Sequence, residues 1–102
     1  MAPMSWLIER RLSATTNKLR SLRSELDIAN AQLDQMSDEA SDQHLRAMVS
    51  DSPADRLDSR DSTRHANSLA AHRAKIIESI ADVERRQDEL LDQLAAKSRP
   101  SN

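Results

Sequence analysis

The sequence predicts an all-α fold, an antiparallel two-helix coiled-coil hairpin that dimerises into a four-helix bundle. Three observations carry this. From Ile8 to Ala40 the apolar or small positions Ile8, Leu12, Thr15, Leu19, Leu22, Leu26, Ala29, Leu33, Met36 and Ala40 step by four and three without a slip. That is the seam a coiled coil keeps turned toward its partner helix. The chain has no Gly and only three Pro, two of them (Pro3 and Pro100) near the ends, so the residue that tight turns and phosphate loops need is missing. Finally, a chain doubled back at residue 51 pairs Ile8 with Leu94, Leu12 with Leu90, Leu19 with Val83, Leu22 with Ile80, Leu26 with Ile76, Leu33 with Leu69 and Met36 with Ala66.

In chain order, residues 1–4 are expected to fray and Ser5 to cap a first helix over 5–49. Past Met36 the apolar and His positions Ala40, His44 and Met48 step by fours, which reads as a stutter in the coiled coil. Leu57, Asp61, His65 and Leu69 repeat that step on the other side of the turn. A stop-and-start signal follows at Ser50–Asp55: Ser52 can cap, Pro53 suits the first helical position, and Asp55 can bond back. The turn is therefore placed at 50–52 and a second helix at 53–97, with a disordered tail over 98–102. The second helix has its own seam in Ala66, Leu69, Arg73, Ile76, Ile80, Val83, Gln87, Leu90 and Leu94. Two irregular layers match across the fold: Thr15 falls opposite Gln87, and Ala29 opposite Arg73, where a small residue leaves room for a long stem.

One buried face on each of two helices removes too little apolar surface from water to offset the ordering of so long a chain. Additional apolar flanks are present: Leu7, Ala14, Ser21 and Ile28 on the first helix, and Ala70, Ala74, Ile77, Ala81, Leu91 and Ala95 on the second. Leu7, Ile28, Ile77 and Leu91 are the candidates for a homodimer contact.

Charge is unevenly spread. Residues 1–24 carry net +4, residues 25–62 net −7 and residues 63–102 net +1, a pattern that favours oriented protein contacts over general binding to nucleic acid. There is no Cys, so disulfide and thiolate chemistry are excluded. The N-terminal apolar run is too short for a signal peptide or a membrane span, and a cytoplasmic location is the default.

Three constellations could carry function. Asp51, Asp55, Asp58 and Asp61 put acid at or near the turn, a general shape similar to the acid-tipped coiled-coil hairpins that enter the secondary channel of RNA polymerase; the simpler reading is helix-start and solubility chemistry. Trp6 with Arg10 and Arg11 reads first as a seal on the open end of the bundle, next as a partner-protein contact and last as a membrane-interface group. A metal set can be drawn from His44, Asp58, Asp61 and His65, but no ligand motif supports it, and polar coiled-coil layers are the simpler reading. No metal, cofactor or enzymatic activity is expected, since a two-helix fold offers no concave pocket.

The runs His44-Leu45-Arg46-Ala47-Met48-Val49-Ser50 and Arg85-Arg86-Gln87-Asp88-Glu89-Leu90-Leu91 resemble a group of small uncharacterised coiled-coil hairpin proteins of actinobacteria. The resemblance spans Leu19 to Leu94 and implies a bacterial cytoplasmic setting, with no activity to transfer. The function expected is that of a non-enzymatic interaction or adaptor protein, with itself and an unidentified protein as partners. The alternative is a transcription regulator touching RNA polymerase through the acidic turn, or nucleic acid through the basic first helix.

Overall fold

A computed structural model describes residues 3–98. The described residues form two long helices, α1 (Pro3–Val49) and α2 (Pro53–Ser98), joined through Ser50–Ser52. Of the ends expected to be irregular, residues 1–2 and 99–102 lie outside the described residues, whereas Pro3, Met4 and Ser98 are helical. Ser5 is therefore inside α1 and does not cap it. Pro3 leads instead, because its fixed φ suits a first turn and its missing N–H costs nothing there.

The connection forms without a left-handed residue among those described. The Ser50 amide still bonds back to the Arg46 carbonyl at 2.9 Å, and the Arg56 amide bonds to the Ser52 carbonyl at 3.3 Å, so one helix stops and the next starts within three residues. The Ser52 amide donates to Ser50 Oγ at 3.1 Å. That bond takes the role expected of Asp55, whose half-buried side chain belongs to the inward stripe.

The chain divides into two compact units. The terminal unit combines Met1–Ser24 with Ile77–Asn102. Its two helical segments are antiparallel: Arg23 Nη2 reaches Glu84 Oε2 at 3.4 Å, and Gln87 Nε2 donates to Thr16 Oγ1 at 3.4 Å. Ile8, Leu19, Leu22 and Leu90 are its buried side chains, with Leu12, Thr15, Ile80, Val83, Gln87 and Leu94 half-buried beside them. The polar layer differs in detail from the expected Thr15–Gln87 pairing. The Thr15 hydroxyl donates back to the Leu12 carbonyl at 2.7 Å on its own helix, and Gln87 Nε2 donates across to Thr16 Oγ1.

The connecting unit is Glu25–Ile76. Ala29, Ser59 and Ile76 are buried, and Leu26, Leu33, Met36, Ala66 and Leu69 are half-buried. Arg73 is half-buried, and its Nε donates to Asn30 Oδ1, next to the small Ala29. An Ala29→Leu change is expected to overfill this layer, displace Arg73 and cost about 1–3 kcal/mol in urea denaturation.

Nearer the connection the expected stutter is absent. Inward positions continue as Ala40, Gln43 and Ala47 on α1, through Ser50 and Ser52 of the connection, and as Asp55, Ser59, Ser62 and Ala66 on α2. The four–three step persists because two helices that wind round each other must both keep the 3.5-residue period to stay in contact. His44, Met48, Leu57, Asp61 and His65, read from the sequence as seam positions, are all exposed.

Candidate interaction surface

With inward positions labelled a and d, every other residue takes a defined place on its helix. Arg23 and Glu84, which bridge the terminal unit, are both e positions, as an antiparallel pair requires. Leu91 and Ile77 share that e flank, whereas Leu7 is a c position on the opposite flank of the same unit. One neighbouring helix pair therefore cannot cover Leu7 and Leu91 together. Ile28, Ile77 and Leu91 are exposed and Leu7 is half-buried.

Trp6 is 60% exposed, and the Arg10 guanidinium lies 5.4 Å from its ring centroid. The ring stands on the outer surface, where the cation holds it by its quadrupole. Arg11 is exposed as well.

At the connection, Asp51 and Asp58 are exposed while Asp55 faces inward. The three carboxylates thus do not share one surface. Arg56 Nη1 also donates to the Asp51 carbonyl at 3.3 Å, bringing a cation to the acidic turn.

The histidines separate into different grooves. His65 lies with Gln32, Gln35, Met36 and Leu69, and His72 with Glu25, Ile28 and Gln32. His44 lies with Ser59 and Arg60. The set His44, Asp58, Asp61 and His65 is not brought together: Asp61 faces Arg64 at 3.7 Å. Among the described residues no group of three or more His, Asp or Glu is placed to hold a metal ion. Nor is any helix there long and apolar enough to cross a membrane.

The comparisons with protein-family models, curated proteins and solved structures return no match.

Two features of that surface lay beyond the sequence reading. Leu45, Met48, Val49 and Leu57 are large apolar side chains on the outside of the connecting unit, with Val49 88% exposed. Beside them an open groove of about 740 Å³ is lined by His44, Ser59, Arg60, Thr63, Arg64 and Asn67, among others, and no carboxylate lines it. A smaller groove of about 290 Å³ continues it past Met48 and Arg56, and again no carboxylate lines it. The signal that could have found both is the strict four–three count. Carried past Met36, it puts Gln43 and Ala47 inside and so turns His44 and Met48 outward.

Proposed function

We propose that this chain is a non-enzymatic adaptor that works through helix–helix contacts, with a second copy of itself as one partner in a four-helix bundle and a further protein as the other. The reading places it in the cytoplasm. The observation that carries it is the distribution of large apolar side chains. Trp6, Ile28, Leu45, Met48, Val49, Leu57, Ile77 and Leu91 are each 40% exposed or more, against six buried hydrophobic residues among the described residues. Scattered single apolar residues on a surface need no explanation, but Leu45, Met48 and Val49 occupy adjacent turns of one helix face, which marks a contact site. A partner helix laid along them would remove that area from water and leave the charged residues as a rim.

Two measurements test this. Sedimentation at micromolar concentration is expected to give a dimer, and a well-folded monomer would overturn the bundle. The immobilised chain is expected to retain a partner protein, with Leu45→Ser/Met48→Ser lowering recovery about tenfold without loss of helicity. A chain that retrieves nothing but itself would overturn the adaptor reading.

A further inference from the structure

We infer that the arginine row Arg56–Arg60–Arg64 of the connecting unit is a docking strip for the aspartate row Asp34–Asp38–Asp42 of a second copy. This rests on the dimer reading above and names the faces it would use. The three arginines follow one another every fourth residue on α2, so their Cβ atoms stand about 5–6 Å apart along one ridge. They border the two connected grooves, whose lining has no carboxylate. Their donors are largely open. Arg60 makes no ion pair among the described residues, Arg64 has only the exposed Asp61 at 3.7 Å, and Arg56 gives one nitrogen to a backbone carbonyl at 3.3 Å. A guanidinium has five N–H donors, so each retains a free fork for a carboxylate.

The matching half is on the same chain. Asp34, Asp38 and Asp42 repeat at the same four-residue step on α1, all exposed, and none has an ion-pair partner among the described residues. Two rows of equal pitch and opposite charge can align all along their length. Met48, Leu45 and Leu57 lie alongside and would exclude water from the paired charges, which strengthens them. Arg56 and Arg60, at e and b of α2, and Asp34, at b of α1, lie on one flank of the unit, so a two-fold pair that apposes this flank makes that part of the contact twice. A nucleic acid is the weaker occupant. Residues 25–76 carry net −4 and no Trp, Tyr or Phe, so a long polyanion meets repulsion around the groove.

Sedimentation equilibrium of the full chain tests the strip. The wild type is expected to dimerise at micromolar concentration, and its dissociation constant to rise about tenfold or more between low and high salt. Arg56→Glu/Arg60→Glu/Arg64→Glu and Asp34→Lys/Asp38→Lys/Asp42→Lys are each expected to dimerise about a hundredfold more weakly, and an equimolar mixture of the two to recover the dimer. A monomeric wild type would remove the dimer reading itself. With a dimeric wild type, a dimer that persists in both variants, or a mixture that stays monomeric, would leave that reading in place and overturn the strip. If circular dichroism shows that a triple variant has lost its helices, Arg60→Glu and Asp38→Lys replace the triples under the same criterion of mutual rescue.

Discussion

Leu90→Ala is expected to lower the unfolding free energy by about 2–5 kcal/mol, measured by urea denaturation followed by circular dichroism. Leu90 is 0% exposed and is the one large side chain described as fully buried. Truncation removes its transfer free energy and also leaves a cavity that two regular helices cannot easily close. A domain of this size holds only about 5–15 kcal/mol in total, so a substantial part of its stability rests at this one position. Leu91→Ala is the control. Leu91 is 48% exposed, so its loss is expected to stay within about 0.5 kcal/mol at low protein concentration. A cost at Leu91 that grows with concentration would come from a second copy covering it. If the two variants cost the same, Leu90 is not the inward residue.

Most of the legible part of the fold has large aliphatic inward residues, and the smaller or polar ones there (Thr15, Ala29, Arg73 and Gln87) are fixed by the seam on either side of them. Ile8, Leu19 and Leu22 on α1, and Ile76 and Leu90 on α2, are both strongly apolar and buried, so counting apolar positions counts seam positions. Near the connection that equivalence fails. Gln43, Ala47, Ser59 and Ser62 face inward, while Met48, Val49 and Leu57 face out, and the apolar pattern there follows the outer surface. The stutter was a consequence of following chemistry where geometry decided. Local hydrogen bonds were illegible for a different reason. The Thr15 hydroxyl can bond its own helix or the opposite one, and Ser50 or Asp55 can each satisfy Ser52; only the folded backbone selects between them. Trp6 and the exposed Asp51 and Asp58 could be nominated one residue at a time, because each lies on one helix or at the turn. The arginine-lined groove could not, since His44 joins Ser59 and Arg60 there only once the register of both helices is correct.

That register near the connection can be tested directly with two neighbouring residues. At protein concentrations too low for self-association, Ala47→Glu is expected to destabilise the chain by about 1–3 kcal/mol, and Met48→Glu to change stability by less than about 0.5 kcal/mol. Ala47 is half-buried on the inward stripe, and Met48 is 69% exposed. A glutamate at 47 would bring a charge into a narrow seam that already contains the inward carboxylate of Asp55, so it would face both desolvation and a like charge. At 48 the same side chain would sit in water and add only the small difference in helix propensity. A coiled coil with a stutter at this point predicts the opposite order, because 48 would then be inside. The pair also separates stability from binding. If Met48 belongs to a contact surface, Met48→Glu should leave the melting curve unchanged and still weaken retention of the partner, whereas Ala47→Glu should weaken binding only in proportion to the helix it unfolds. Equal losses of stability at the two positions would mean that neither flank is consistently inward, and the outward placement of Leu45, Met48 and Val49 would fall with it.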